Sequence, residues 1–207
     1  MKWIIGIDEV GRGALAGPVV VAAAAVREAF SWRSVGFGRL KDSKKMSPVR
    51  REKWSAWAEK SAAVRFSIAR VYPRQIEKQN ISRAANIAAE RALGRLMEKE
   101  KFGGATPIFL DGGLFVGNHR APRYGNGRAK TLVKADETVP AVAIASVVAK
   151  VCRDRLMRRL AKRYPGYSFE VHKGYGTYRH RRTLARRGPC AAHRLTFTGK
   201  SSIIKKK

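Results

Sequence analysis

The chain has 207 residues, with 44 lysines and arginines against 15 acids, and its formal net charge is +29. Hydrophobic residues form 44% of it, which excludes an intrinsically disordered chain. Its longest apolar runs, residues 18–26 and 139–149, are too short to span a bilayer, and its two cysteines match no disulfide framework or metal-binding spacing. We therefore expect a cytoplasmic protein with no membrane segment, consisting of one domain over residues 1–200 and a short basic tail over 201–207.

The large positive charge favours a polyanionic partner, and nucleic acid is the commonest polyanion in a cytoplasm. The charge is concentrated in residues 150–207, which hold 18 basic and 2 acidic side chains. A passive nucleic-acid binder or a ribosome-associated protein would show the same excess, so composition alone does not separate an enzyme from a binder.

The first third of the chain predicts strands and one helix. Residues 3–8 and 18–26 are apolar runs separated by glycines, a pattern typical of two strands joined by a glycine-rich connection. A serine–proline pair at 47–48 supplies an N-cap and a first-turn proline, which predicts a helix over 48–60. Alternating apolar residues then predict a strand over 63–71.

The middle of the chain predicts further strands and helices. Residues 80–101 are rich in alanine, glutamate, arginine and leucine and predict a helix. Short strands are predicted over 106–110 and 131–134, and Thr138 is expected to cap a long helix that ends near Arg163. The pattern indicates an α/β domain with a mixed sheet, followed by a helical, basic C-terminal part.

Acidic side chains lie at the ends of several apolar, strand-like segments. Asp8, joined by Glu9, follows the first predicted strand, while Asp111 and Asp136 come at or near the ends of two later ones. A carboxylate at the margin of a core loses hydration, which raises its pKa or requires a cation. Each acid taken alone is best interpreted as a helix cap or as the partner of one of the many arginines.

Taken together, the four acids favour a metal site. If they converge, they repel one another unless a cation lies between them. A hard divalent ion, Mg²⁺ or Mn²⁺, suits this set better than zinc, because no histidine or cysteine lies in these segments. Two such ions about 4 Å apart activate a water and stabilise the leaving oxygen in phosphodiester cleavage.

Six motifs follow one another in register over most of the chain. They are GIDEVGRG at 6–13, continuing through Ala16-Gly17-Pro18, then DSKK at 42–45, LDGG at 110–113, KAD at 134–136, AIASVVAK at 143–150 with Arg153-Asp154, and HKGYGT at 172–177; His193-Arg194 and Phe197 also fit. In this order the chain resembles the ribonuclease HII family.

The resemblance implies a fold, an activity and a set of metal ligands. The fold is ribonuclease H-like, with a five-stranded mixed sheet flanked by helices and a helical C-terminal part. The activity is endonucleolytic hydrolysis of the RNA strand in RNA–DNA hybrids and cleavage 5′ of single ribonucleotides in duplex DNA, which leaves 3′-hydroxyl and 5′-phosphate ends. The metal-binding acids are Asp8, Glu9, Asp111 and Asp136.

The resemblance also assigns substrate-binding residues. The loop formed by Gly11, Arg12 and Gly13 is expected to recognise the 2′-hydroxyl of the ribonucleotide. Tyr175 is expected to pack on the sugar, and Lys44 to contact the scissile phosphate or its neighbour. Ribonucleases HIII are similar but usually carry Gly-Lys-Gly in this loop and an added N-terminal domain, so the arginine favours type HII.

Other features have less direct interpretations. His172 and His193 match positions of the family; a structural role is open for either, and we expect neither to act as a general base, since a metal-bound hydroxide makes one dispensable. Lys150 and Asp154 are expected to form an intrahelical ion pair. The basic segments 153–163 and 179–187 are expected to bind phosphates without recognising sequence. We expect a monomer, and the tail shows no clear sliding-clamp motif. The alternatives are a catalytically silent hybrid-binding protein, ribonuclease HIII-like specificity and a junction resolvase of the same fold.

Overall fold

The computed structural model describes residues 2–32, 35–36, 40, 46–117 and 129–199. In chain order its elements are β1 (Trp3–Val10), β2 (Val19–Arg27), α1 (Pro48–Lys60), β3 (Val64–Val71), α2 (Pro73–Gln79), α3 (Ile81–Lys99), β4 (Ile108–Asp111), β5 (Ala129–Leu132), α4 (Ala135–Thr138), α5 (Pro140–Arg163), α6 (Phe169–His172), α7 (Tyr178–Arg187) and α8 (Leu195–Thr198).

The five strands form one sheet in the order β3–β2–β1–β4–β5. Strand β2 pairs antiparallel with β1 and β3, whereas β4 runs parallel to β1 and β5. The predicted α/β class with a five-stranded mixed sheet is therefore confirmed.

Helices cover both faces of the sheet, which explains why the central strands are so apolar. Every residue of β2 except Arg27 is buried. Helix α3 packs on one face, together with Ile5 and Ile7 of β1, while α1 and α5 cover the other face. Gly6 faces α5 so closely that a Cβ there would lie 2.1 Å from the backbone nitrogen of Val142. Because side chains alternate along a strand, Asp8 leaves β1 on the same face as Gly6.

The C-terminal part of the described chain is helical and has its own apolar core. Met157 of α5 packs there with Phe169 and Leu184, and Leu15 from the β1–β2 connection joins them. The predicted helical, basic C-terminal part is thus present, and its core contacts the glycine-rich connection that follows β1.

Local sequence signals gave accurate helix starts where a capping side chain is present. Helix α1 has the predicted bounds, and the Ser47 hydroxyl accepts a hydrogen bond from the Arg50 N–H at 3.3 Å. Helix α3 begins directly after Asn80, whose side chain accepts from the Arg83 N–H at 3.0 Å. Helix α2 was not predicted.

Predictions between residues 106 and 140 were displaced or wrong. Strand β4 begins two residues later than predicted, and β5 ends at Leu132, because Lys134 takes a left-handed conformation with φ 56°. Thr138 does not cap α5: its hydroxyl donates back to the Ala135 carbonyl at 3.4 Å, and the helix begins at Pro140 instead. Asp136 consequently lies in α4 rather than at a strand end.

Within the described ranges, none of the helices combines the length and the apolar character needed to cross a membrane. The division of the chain at residue 200 stays a prediction, since residues 200–207 lie outside the described ones.

Candidate active site

Asp8 and Glu9 are adjacent near the end of the central strand β1, so their side chains leave opposite faces of the sheet. Asp8 is 7% exposed and accepts hydrogen bonds from the Ser146 hydroxyl of α5 and from the Glu9 N–H, the latter at 2.7 Å. Glu9 is half-buried, and its Oε1 lies 3.3 Å from Nη1 of Arg12. The strand therefore holds two carboxylates at the margin of the core.

Burial and mutual repulsion raise the pKa of both carboxyls. At Asp8 burial is the main cause and the charges of Glu9 and Asp111 add to it, so the pKa rises to about 8 in spite of the hydrogen bond from Ser146. At Glu9 burial again raises the pKa, the Arg12 guanidinium opposes the shift, and Asp111 adds to it. These three acids form one electrostatically coupled cluster, and a cation would relieve both the burial and the repulsion.

The other two predicted acids follow the neighbouring strands. The parallel register of β1 and β4 places Asp111 beside Asp8. The Oδ1 atom of Asp111 accepts the Ala135 N–H at 2.8 Å, so this carboxylate holds the start of α4. Asp136 is the next residue and is half-buried. In the structure, Asp8, Glu9 and Asp111 interact electrostatically. The fourth predicted acid, Asp136, directly follows Ala135, whose N–H binds Asp111.

The donor atoms of this cluster suit a hard divalent cation. Glu9 Oε2 is buried and has no hydrogen-bond partner among the described residues. A buried carboxylate oxygen without a partner is costly, and a cation with oxygen ligands would satisfy it. Across the described ranges, no group of three or more His, Cys, Asp or Glu side chains has the arrangement to hold a metal ion. The residue types fit Mg²⁺ or Mn²⁺. The carboxylate side chains would have to move closer together to coordinate such an ion.

The three residues of the loop after β1 have different environments. Gly11 is buried with φ 88°, and a Cβ there would lie 2.1 Å from Nε of Arg153, so the packing of the protein itself requires this glycine. Gly13 is exposed, and a Cβ there would meet nothing within 4 Å. The Arg12 guanidinium, already paired with an acid of β1, also donates to Ser82 Oγ at 3.1 Å. Gly13 therefore leaves room for a ligand close to the backbone.

Tyr175 lies half-buried in the turn after α6, with two cations near its ring. The Arg153 guanidinium is 5.2 Å from the ring centroid and the Lys150 ammonium 6.0 Å. The preceding Gly174 has φ 81°, and a Cβ there would lie 2.4 Å from the carbonyl oxygen of Ala16. The tyrosine turn therefore packs directly on the β1–β2 connection, and the two predicted substrate-binding loops are neighbours.

A cluster of buried histidines lies behind the tyrosine turn. The rings of His172 and His180 stack at 4.1 Å, and Nε2 of His180 lies 3.0 Å from Nε2 of His193. His180 Nδ1 lies 2.9 Å from the Tyr175 carbonyl oxygen. Burial lowers the pKa of all three histidines, to about 4 for His180 and His193, so the cluster is neutral at pH 7. This arrangement supports a structural role for His172 and His193.

His180 was not singled out from the sequence, although a signal for it exists. His180 and Leu184 are the two buried residues of α7, and they are spaced i, i+4 among exposed arginines. That spacing marks the face of a helix that packs against a core.

The expectation that residues 153–163 bind phosphates is wrong for Arg153 and stays a prediction for the other basic side chains of this segment. Arg153 is 0% exposed, and Arg155 and Arg158 both pair with Glu52 of α1. The predicted ion pair between Lys150 and Asp154 is confirmed, with Nζ 2.9 Å from Oδ1. Within a basic run, the sequence does not distinguish buried arginines from exposed ones. Only the position of each residue on α5 determines which of the two it is.

Two predicted features lie outside the described residues, namely Lys44 and the tail at 201–207.

The chain is similar to known proteins over almost its full length. A family model described as Ribonuclease HII matches residues 5–200. The chain is 41% identical over 198 residues to the Ribonuclease HII of Nitratidesulfovibrio vulgaris, covering 94% of this chain and 85% of that protein. It is 40% identical over 197 residues to the Ribonuclease HII of Acaryochloris marina, covering 95% and 92%. Among solved structures it is similar to a chain of the PCNA:RNase HII complex from Archaeoglobus fulgidus, with a TM-score of 0.76, 27% identity, and coverage of 100% of this chain and 98% of that chain.

Proposed function

The chain belongs to the ribonuclease HII family, a family of enzymes that hydrolyse RNA paired with DNA, and from this premise we propose its substrates and products. It cuts the RNA strand of RNA–DNA hybrids and cuts 5′ of single ribonucleotides embedded in duplex DNA, leaving 3′-hydroxyl and 5′-phosphate ends. The observation that carries the proposal is the coupled cluster of Asp8, Glu9 and Asp111 at the end of the central strand, in a chain that the family model matches almost throughout.

We propose that Asp8, Glu9, Asp111 and Asp136 hold Mg²⁺ or Mn²⁺ in a two-metal site. When bound, such ions supply an activated water and stabilise the leaving oxygen of the phosphodiester. The raised pKa of Asp8 and the unpartnered Glu9 Oε2 support this role. Each shows a buried carboxylate whose loss of hydration is not fully offset by other groups of the described residues. The Asp111 carboxylate orients the start of α4 and hence the fourth acid.

Recognition of the substrate is assigned to two neighbouring loops. Gly11, Arg12 and Gly13 recognise the 2′-hydroxyl, with the open space at Gly13 admitting the sugar close to the backbone. The contact between Arg12 and Glu9 links this loop to the acids, so a ribose bound here lies near the site of cleavage. Tyr175 packs on the sugar, and Lys44 contacts the scissile phosphate or its neighbour.

Binding of the duplex outside the cleavage site is assigned to exposed arginines. Helix α7 carries Arg179, Arg181, Arg182, Arg186 and Arg187, all exposed, directly after the tyrosine turn. Contacts of this kind bind phosphates and carry no sequence information. We further propose that the protein acts as a monomer in the cytoplasm, in DNA replication and repair.

The test is cleavage of an end-labelled DNA duplex that contains one ribonucleotide, beside an all-DNA duplex and an RNA–DNA hybrid. With Mg²⁺ or Mn²⁺ we expect cutting on the 5′ side of the ribonucleotide and throughout the RNA strand of the hybrid, with none in the all-DNA control or in EDTA. Asp8→Asn should abolish cutting and retain binding. The matched control is Glu137→Gln, an exposed acid beside Asp136, and it should cut like the wild type.

Three results would contradict the proposal or part of it. Normal cutting by the Asp8→Asn variant would remove that carboxylate from the chemistry. Tight binding without cutting, with either metal, would identify a catalytically silent hybrid-binding protein. Cutting of long hybrids without cutting at single ribonucleotides would indicate specificity like that of ribonuclease HIII.

A further inference from the structure

Two arginines are completely buried beneath the loop of residues 11–13. Arg153 of α5 and Arg194, which precedes α8, are both 0% exposed. Neither forms an ion pair with a carboxylate of the described residues. Burying a charge without a counter-ion destabilises the folded state, so other interactions must offset this cost for the two guanidiniums.

Both guanidiniums bind backbone carbonyls of the β1–β2 connection. Arg194 donates to the carbonyl oxygens of Gly11, Arg12 and Gly17, at 2.7, 2.7 and 3.0 Å. Arg153 donates in the same way to the carbonyl oxygens of Ala16, Pro18 and Lys173, at 3.1, 3.1 and 2.8 Å. The two side chains thus fix both ends of this connection and tie it to the segment that leads into the tyrosine turn.

These bonds determine which way the loop amides point. The peptide bonds are trans, and in a trans peptide the C=O and the N–H point in opposite directions. The carbonyls of Gly11 and Arg12 point inward to Arg194, so the N–H groups of Arg12 and Gly13 point away from it. In the described part of the chain neither N–H donates a backbone hydrogen bond, whereas the next residue, Ala14, bonds back to Gly11. Two adjacent donors are therefore directed outward at the point where Gly13 leaves open space.

The positive charges behind the loop strengthen these donors. Burial lowers the pKa of Arg194 to about 9, and it remains protonated at pH 7. Neither guanidinium forms an ion pair within the described residues; Asp154 interacts with Arg153, and Glu77 with Arg194, only by longer-range electrostatic attraction. A donor pair backed by positive charge suits an electron-rich oxygen atom that approaches without a side chain in its way.

We propose that Arg194, supported by Arg153, is a positioning residue that directs the N–H groups of Arg12 and Gly13 toward the 2′-oxygen of the bound ribose. Arg194 thereby sets the preference for a ribonucleotide over a deoxyribonucleotide without touching the substrate. This inference rests on the proposed function, because it takes the loop of residues 11–13 as the part that recognises the ribose.

The test compares Arg194→Met with wild type in two measurements. The first is kcat and KM on a duplex with one ribonucleotide, and the second is the inhibition constant of the all-DNA duplex, which offers the same phosphates without a 2′-hydroxyl. We expect kcat/KM to fall by about 10- to 100-fold, the loss of one or two substrate hydrogen bonds, while the inhibition constant stays within about twofold. Arg95→Met is the matched control, since this exposed arginine also donates to a backbone carbonyl, that of Ile68, and should change neither quantity.

A second variant keeps the inference testable if Arg194→Met does not fold. Arg194→Lys retains the charge but cannot hold three carbonyls in one plane, so it should show a smaller selective loss of kcat/KM. An equal loss of cleavage and of all-DNA binding in the variant that folds, or no loss of either, would overturn the inference. Failure of the wild-type protein to cut at a ribonucleotide would instead overturn the proposed function, which makes the two failures distinguishable.

Discussion

Replacing Asp8 by asparagine should stabilise the metal-free protein at high pH, even though it removes a carboxylate of the proposed metal site. Asp8 is buried, and its two hydrogen bonds come from donors, the Ser146 hydroxyl and the Glu9 N–H. An asparagine side-chain oxygen can accept the same two bonds and carries no charge. The variant therefore keeps the local packing and removes the cost of burying a carboxylate.

The magnitude follows from the pKa of Asp8. The ordinary value is 3.8, and in the folded protein the pKa is about 8. A carboxyl whose folded pKa is raised contributes stability that is fully present below the unfolded pKa and is lost as the pH rises through the folded pKa. Each pH unit of this window corresponds to about 1.4 kcal/mol, so the wild-type protein should lose on the order of 5 kcal/mol between pH 4 and pH 8 through this group.

The assay is urea unfolding of both proteins at pH 4, 6 and 8 in the presence of EDTA. The difference in free energy of unfolding between Asp8→Asn and wild type should be small at pH 4 and grow toward pH 8. Titration of the histidines is common to both proteins and cancels in this difference. Adding Mg²⁺ or Mn²⁺ at pH 8 should stabilise the wild type and leave the variant unchanged. A difference that is the same at all three pH values would refute the reasoning.

Three further predictions concern the loops beside the acids and the histidine cluster behind the tyrosine turn. Gly11→Ala should lower the free energy of unfolding by about 1–3 kcal/mol, because residue 11 has a left-handed conformation and the added Cβ would meet Arg153. Gly13→Ala should leave the melting temperature at the wild-type value and impair cleavage. Equal melting temperatures for the Gly11→Ala and Gly13→Ala variants would contradict this. Burial holds the pKa of His180 near 4, below its ordinary value of 6.5, so the stability it contributes above pH 6.5 is lost as the pH falls toward 4. The non-titrating variant His180→Asn should lose less stability over that range in urea unfolding, and an unchanged loss would argue against this origin. Tyr175→Ala should raise KM for a single-ribonucleotide duplex about 10-fold or more by removing a stacking surface, while Tyr175→Phe should retain the wild-type KM; a KM for Tyr175→Phe as high as that of Tyr175→Ala would show that the hydroxyl, and not the ring, makes the contact.

The parts of the fold that could be predicted are those set by local chemistry. Helix α1 has the predicted bounds because Ser47 and Pro48 are sufficient to define its start. The acids Asp8 and Asp111 could be located because each follows an apolar run that becomes a strand, and neighbouring strands bring them together.

The parts that could not be predicted depend on contacts between distant segments. Strand β5 is mostly exposed, so its sequence lacks the apolar pattern that marks a buried strand. The burial of Arg153 and Arg194 follows from carbonyl groups of the β1–β2 connection, and no property of the arginines themselves distinguishes them from exposed ones. The roles of the substrate-binding residues stay predictions that the experiments above decide.

The bond from Arg194 to the Gly11 carbonyl joins residues 183 positions apart, and this has a consequence for synthesis of the protein. A chain is made from its N-terminus, so the acids of β1 leave the ribosome well before Arg194. Gly6, on the same strand, requires the close packing of α5, and the loop that follows β1 is fixed only when Arg194 has emerged. The nascent chain therefore carries the acids of β1 beside a loop that lacks its Arg194 contacts until residue 194 has been made.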